Sequence, residues 1–422
     1  MFNLTKERTT VRTEMMAGVT SFMTVSYIVA VNGSMLAQAG MPYEAAILAT
    51  VFASIIGCLL MALWANSPLI VIPGMGDSAF FTFVLVLAFG LTWQQALAVV
   101  LLSGIVFAAT ALSKRVIAWI RSIPASLIHA MTAGIGLFIA FLGLEKGGLI
   151  VASPDTFVTL GRLGEPQALT TLLTLFIALP LFLRGVKGGF LIAMAAGTLI
   201  GACFGIVDGT GLKSGFIPSL HGYSEIFAAF DFSGMASGAF WISVFSLSIV
   251  IVFQNLAAQL GMLPDTSKFV RSFQAGSLSI IAAGMLGCSS TTTSAESLAG
   301  IAAGGRTGLT SLTTGLLFLP ALLLIPFLKL IPGSAIAPIL IIVGGLMVQR
   351  IKDIAFDDMT EGFPAYLTLA LIPLSFSIAN GIAAGFIAYP LLKIASGRKR
   401  EIPAAMYVIS SLFIVYFVLD SL

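Results

Sequence analysis

The residues able to do chemistry in this chain gather in one polar stretch, Gly287–Thr310, which reads GCSSTTTSAESLAGIAAGGRTGLT. Five of its first seven residues carry hydroxyls (Ser289, Ser290, Thr291, Thr292 and Thr293), and one carboxylate, Glu296, follows. An acid among hydroxyls can accept N–H groups from a ligand. Where burial disfavours its charged form, it can also take a proton on one side and release it on the other. A structural carboxylate satisfied by its neighbours is the plainer alternative, but an acid inside a membrane is costly and usually functional. Gly300–Thr307 nearly spells a phosphate loop, yet Arg306 stands where Lys is required and no α/β context surrounds it. No nucleophile–base pair, metal cluster or cofactor loop is visible in the sequence. Neither catalysis nor a cofactor is expected; binding and moving a small molecule is.

The elements that position these groups follow from composition. Of 422 residues, 58% are hydrophobic and 9% charged, with a net charge of +3 and a mean hydropathy of +1.05. Apolar runs of spanning length recur from end to end, so the chain reads as a polytopic membrane protein. The polar start and the long first apolar run argue against a cleavable signal peptide. The positive charge belongs to basic loops and does not imply a nucleic-acid partner. Cys58, Cys203 and Cys288 are scattered, with no disulfide or metal spacing.

Spans are expected near 14–37, 45–64, 69–90, 93–113, 124–144, 168–184 and 188–206. After a polar linker at 207–238 come 241–262, 269–287, 289–304, 307–328, 334–349, 363–378 and 380–396, then a last apolar segment at 404–421. Basic residues fall on alternate loops, among them Arg8 and Arg12, Lys114 to Arg121, Lys268 and Arg271, and Lys393 to Arg400. This pattern places the N-terminus in the cytoplasm. Trp64, Trp93, Trp119 and Trp241 sit near span ends, as an aromatic belt would have them.

Two sets of seven spans read as a repeat. Ile123-Pro124-Ala125-Ser126-Leu127-Ile128, followed by Gly136, is echoed by Ile331-Pro332-Gly333-Ser334-Ala335-Ile336, followed by Gly344. An odd number of spans per half inverts the second half relative to the first. The third span then mirrors the polar stretch, with a short β-type run, Leu69–Ile72, between Pro68 and Pro73, and a flexible half-helix start at Gly74–Ala79. Irregular backbone at that depth survives only where protein or a water-filled cavity covers it. Two strand-plus-half-helix elements should therefore meet at mid-membrane, with their N-termini directed at one site.

These residues resemble the nucleobase:cation symporter-2 family, in its adenine/guanine/hypoxanthine permease branch. The likeness lies in AGVTSFMTVSYIVAVN (Ala17–Asn32), PGMG (Pro73–Gly76), GIGLFIAFLGL (Gly134–Leu144), STTTSAES (Ser290–Ser297), AAGGRTGLT (Ala302–Thr310) and EGFPAYLTLALIPLSFSIANGI (Glu361–Ile382). The resemblance implies an all-α membrane fold of about fourteen segments in a 7+7 inverted repeat, with broken third and tenth spans. It also implies a core domain from 14–113 and 241–328 and a gate domain from 124–206 and 334–396, with 404–421 an extra C-terminal helix. It implies import of a purine base with protons by movement of core against gate. The partners expected are the nucleobase, protons (sodium being the open alternative), the lipid bilayer and, as an option, a second copy of the chain. The location expected is the plasma membrane, of the bacterial inner-membrane kind.

Three positions depart from the family pattern. Gly76-Asp77-Ser78-Ala79-Phe80 carries an acid where the family has leucine, Phe253-Gln254-Asn255 lacks the family's aspartate, and Asn32-Gly33 replaces asparagine-proline. Glu296 matches the family's tenth-span glutamate. The substrate-site candidates are Glu296, Gln254, Asp77, Ser78, Phe80, Ala295, Ser294 and Thr24, with Glu296 and Asp77 as proton-coupling groups. Asp77 has a plainer reading as a helix N-cap. Phe80 reads first as plain core and otherwise as a face for a flat base, Gln254 as ligand or as interhelical glue, and Thr24 as cavity lining or neighbour-bonded. The neutral Gln254 amide suits the adjacent C=O and N–H of a 6-oxopurine, the preference expected, although it can also pair with the amino group and acceptor nitrogen of adenine. A carrier of another small molecule or anion, and a membrane scaffold or sensor, are the alternatives.

Overall fold

The computed structural model describes all residues except 1, 3, 6, 114–121, 154–155, 208–221, 329 and 421–422. Lys114, Arg115 and Arg121, expected in a cytoplasmic loop, and Trp119, expected near a span end, lie outside the described residues.

The first half runs α1 (Val11–Val25), α2 (Ile28–Gln38), α3 (Tyr43–Leu63), β1 (Val71–Pro73), α4 (Met75–Ala79) and α5 (Trp93–Leu112). A wide π-helical segment, Phe80–Ala88, continues α4. Then come α6 (Ala125–Lys146), the strands β2 (Ile150–Ser153) and β3 (Phe157–Leu160), α7 (Pro166–Leu183) and α8 (Gly189–Cys203). The second half runs α9 (Gly238–Met262), α10 (Phe269–Met285), β4 (Thr291–Thr293), α11 (Ser297–Ala302), α12 (Gly308–Ala321) and α13 (Ile325–Leu328). It ends with α14 (Gly333–Val348), α15 (Met359–Leu374), α16 (Ile378–Ala395) and α17 (Ala404–Asp420). Every expected span thus holds a helix or a strand-plus-helix element. Eight helices among the described residues are long and apolar enough to cross a membrane, and four shorter apolar helices accompany them. The antiparallel β2–β3 pair between the fifth and sixth spans was not foreseen.

Local chemistry explains the boundaries. Thr92 and Gln95 form a reciprocal capping box at the start of α5. The repeated Pro124 and Pro332 are the N-cap residues of α6 and α14, where a missing N–H costs nothing. Gly287, at φ +77°, turns the chain out of α10 toward β4, a conformation that disfavours a side chain.

The helices pack as the repeat requires. α12 lies on α1 and α3, and α10 on α5 and α3, while α6 lies on α14 and α15, and α7 on α8 and α14. The repeat-equivalent glycines meet at the α6–α14 crossing. A Cβ on Gly136 would fall 2.7 Å from the Gly344 carbonyl oxygen, and one on Gly344 2.5 Å from that of Gly136. Two equivalent residues touching each other mark the pseudo-twofold relation between halves. The close backbone approach is the packing that small residues permit in membranes.

Candidate substrate and coupling site

The two broken spans meet. β1 and β4 pair antiparallel, with Val71 opposite Thr293, Ile72 opposite Thr292 and Pro73 opposite Thr291. The pairing extends at both ends, through Ser294 N to Ile70 O at 2.9 Å and Gly74 N to Ser290 O at 3.3 Å. β-branched residues stiffen the short strands, and each satisfies the other's backbone groups in a setting without water. Because the strands are antiparallel, α4 and α11 leave from opposite ends of the ladder, roughly 10 Å apart at about 3.3 Å per residue.

At the α11 end sits Glu296. Its Oε1 accepts the Tyr27 hydroxyl at 2.6 Å and its Oε2 accepts the Ser294 hydroxyl. Tyr27 lies where the first span loosens between α1 and α2, and it is almost fully buried. Glu296 itself is half-buried and Ala295 is exposed, so this end of the site is reachable. Tyr27 was not singled out in the sequence. The signal was there, because a tyrosine inside an apolar span needs a partner for its hydroxyl.

At the α4 end sits Asp77, fully buried. It is not a helix cap. The N-cap of α4 is Gly74, Asp77 lies inside the first turn, and neither of its oxygens has a hydrogen-bond partner among the described residues. The plainer reading of Asp77 therefore fails: its carboxylate lies beside the N-cap residue Gly74 but bonds to none of the free N–H groups of α4.

The other candidates separate. Ser78 donates to the Gly74 carbonyl and shares a 2.9 Å bond with Ser289, so it fastens one broken span to the other. Ser294 serves Glu296. Phe80 is fully buried in the hydrophobic core. The Thr24 hydroxyl bonds back to Thr20 and Ser21 carbonyls of its own helix. Gln254 on α9 is half-buried, and its carbonyl oxygen has no hydrogen-bond partner among the described residues. Its neighbour Asn255 accepts from Thr293 N at 3.1 Å, and Gln259 donates to the Thr293 hydroxyl, so both brace β4. Asn32 donates to Thr50 and accepts from Ser289, holding the start of the second element against the first span.

A second buried acid escaped the sequence reading. Glu14 on α1 accepts from Arg306 N, Thr307 N and the Thr310 hydroxyl, at 2.9, 3.2 and 2.6 Å. It satisfies the N–H groups of the two residues that lead into α12, from a helix nearly three hundred residues away. Nothing local predicts such a cap.

Paired broken spans with a polar, part-open centre define a polytopic membrane transporter, not an enzyme. The chain belongs to the permease family, whose pattern it matches over residues 12–384, within the nucleobase:cation symporter-2 group that its motifs resemble. It is similar to the nucleobase transporter PlAzg2 of Paenibacillus larvae, 44% identical over 383 residues, covering 90% of this chain and 77% of that one. It is 36% identical to the guanine/hypoxanthine permease PbuO of Bacillus subtilis, covering 98% and 99% of the two chains. It is also 36% identical to the adenine permease AdeP of Escherichia coli, covering 99% and 95%. The fold is shared with the transmembrane domain of the cyanobacterial bicarbonate transporter BicA, at TM-score 0.66 and 19% identity, covering 89% and 97%.

Proposed function

We propose that this protein imports a purine nucleobase, with 6-oxopurines preferred, in symport with protons. The observation that carries the reading is the half-buried Glu296, held by Tyr27 and Ser294 at the start of a half-helix beside exposed Ala295. A purine presents ring N–H groups to accept and a flat face to cover, and a carboxylate so held can accept the former. The same group is the proton carrier, and Asp77 is the second coupling carboxylate. Gln254, whose carbonyl oxygen has no partner among the described residues, reads the edge of the base. Residues 14–113 and 241–328 form the moving core and 124–206 and 334–396 the gate. The chain lies in the plasma membrane with its N-terminus inside. The similarity to a guanine/hypoxanthine permease supports the purine class, and the equal similarity to an adenine permease makes adenine the competitor to test.

Uptake of radiolabelled hypoxanthine and adenine decides it, in cells lacking their own purine permeases, with and without a protonophore. Hypoxanthine accumulation abolished by the protonophore is expected. No uptake of either base would sink the transport reading, adenine uptake alone the 6-oxopurine preference, and protonophore-resistant accumulation the proton coupling.

A further inference from the structure

Away from the paired strands, a cavity of about 150 Å3 opens in the seam between the segments assigned to core and gate. Leu142 of α6 and Leu340 of α14 are buried in its floor, and Phe83, half-buried on the π-helical segment, forms a wall. Exposed Gln38 at the end of α2, exposed Glu145 of α6 and half-buried Lys146 make its rim. The eleven residues of α2 separate Gln38 from Tyr27, the N-cap of that helix. At ~1.5 Å per residue they span roughly 16 Å, so the cavity is distinct from the Glu296 site, with which it shares no lining residue. Gly143 brings α14 close beneath it, since a Cβ there would fall 2.9 Å from the Ala337 carbonyl oxygen. Phe83 is held edge-to-face by Phe138 of α6, with ring centroids 6.4 Å apart. Lys146 Nζ donates to Ser34 Oγ on α2 at 2.7 Å, a strap from gate to core that does not exhaust an ammonium's donors.

We propose that this cavity is a second nucleobase site, an entry site at the outer end of the core–gate seam, with Phe83, Gln38, Glu145 and Lys146 as its ligand-contacting residues. It rests on the reading of the chain as a nucleobase importer with its N-terminus inside, which puts the ends of α2 and α6 on the outer face. The chemistry of the lining selects the ligand. Glu145 and Lys146 cancel in charge, so the rim favours a neutral molecule over an anion or a cation. The carboxylate accepts a ring N–H, the ammonium donates to a carbonyl, and the Gln38 amide can do either. A 6-oxopurine carries C=O and N–H side by side on one edge. Its flat faces suit the ring of Phe83 above an aliphatic floor. An apolar cavity of this volume takes a single aromatic ring, and the exposed rim leaves the second fused ring room in the mouth. The π-helical widening that carries Phe83 is a distortion often found at functional sites. A base held here waits beside the Lys146–Ser34 strap, on the outer side of the site at Glu296.

Equilibrium binding of labelled hypoxanthine to the purified full chain tests this. The wild type should saturate with two sites, and Glu296→Gln should keep one. Adding Glu145→Gln or Lys146→Gln to Glu296→Gln should weaken that remaining binding about tenfold or more, the usual effect of losing a bond to a charged group. Ser34→Ala removes the strap but leaves the ammonium, so it should leave the remaining binding unchanged. With Glu296 intact, Lys146→Gln should raise the KM for uptake while the maximal rate is kept. A single wild-type site that disappears in Glu296→Gln overturns the entry site, as does residual binding indifferent to both rim substitutions. Equal loss in Ser34→Ala and Lys146→Gln also overturns it, because the lysine then acts only as a strap. No hypoxanthine binding by the wild type would strike the nucleobase reading itself, whereas loss of the second site alone leaves that reading standing. Should Lys146→Gln fail to fold, Glu145→Gln at an exposed position carries the test.

Discussion

The Tyr27 hydroxyl reaches Glu296 Oε1 at 2.6 Å across 269 residues of sequence. It joins the loosened middle of the first span to the start of the second half-helix, so any movement of either element is felt at the carboxylate. The bond also leaves Glu296 with its other oxygen on Ser294, a carboxylate oriented by two hydroxyl donors.

Glu296→Gln should insert and fold, because the amide is nearly isosteric, while concentrative uptake is lost. Tyr27→Phe removes one donor to a carboxylate, worth about 1.5–3 kcal/mol. Substrate affinity should fall roughly 10- to 150-fold. Uptake kinetics on membranes with matched protein levels check both. Wild-type accumulation by Glu296→Gln would remove Glu296 from the binding and coupling roles.

Gln254→Asp should change the order of preference among bases more than total uptake, since an acceptor-only group replaces one that both donates and accepts. A mismatched buried polar pair costs about 1–3 kcal/mol. Competition by unlabelled hypoxanthine, guanine, xanthine and adenine against a labelled base measures it. An unchanged order would make Gln254 an interhelical spacer.

Gly136→Ala and Gly344→Ala should each destabilise the protein by about 1–3 kcal/mol, the usual effect of overpacking a tight contact. At Gly136 the new methyl would meet Met347 Cβ at 2.6 Å, and at Gly344 the backbone nitrogen of Ala140 at 2.7 Å. Thermal melts in detergent report the loss. Wild-type melting of both would mean that the α6–α14 crossing opens without strain.

The C-terminal end of α16 and the turn after it should carry an acid-sensitive part of the stability. Its Lys393 is buried between Glu361, at 3.1 Å, and Glu401, at 3.0 Å, and Arg398 bridges Glu401 and Asp358, each at 2.7 Å. Bonds from Arg398 and then Lys393 hold the Glu401 carboxyl down from 4.5 to about 2. Bonds from Thr360 and then Arg398 hold Asp358 well below the usual carboxylate range. Both folded values lie below the unfolded ones, so the contribution is present above the ordinary carboxylate range and is lost as pH falls through the folded values. Arg398→Gln should lower the Tm at neutral pH, and its gap from wild type should close between pH 4.5 and 2. A gap independent of pH would mean that Arg398 acts by packing alone.

Orientation is testable with an impermeant thiol reagent. In a background without Cys58, Cys203 and Cys288, single cysteines in the 207–238 linker should label from outside, and cysteines within 114–121 should not. Labelling of 114–121 from outside would reverse the assigned topology.

Much of the architecture can be read along the chain because it is written in local patterns. Apolar run lengths mark the spans, and Pro124 and Pro332 mark matching helix starts. The β-branched run Thr291–Thr293 and the proline-bounded run before Gly74 both became strands, since stiff side chains and missing N–H groups act within a few residues. The same patterns are silent about which side chain meets which. Hydropathy says that Asp77 lies inside a span, yet only the fold shows its carboxylate fully buried beside Gly74 without bonding to the helix start. Val71 opposite Thr293, Tyr27 on Glu296 and Glu14 beneath α12 each join residues more than two hundred positions apart. A lipid-facing surface and a helix-facing surface are equally apolar, so composition cannot tell them apart. Close packing of helix against helix decides those partners.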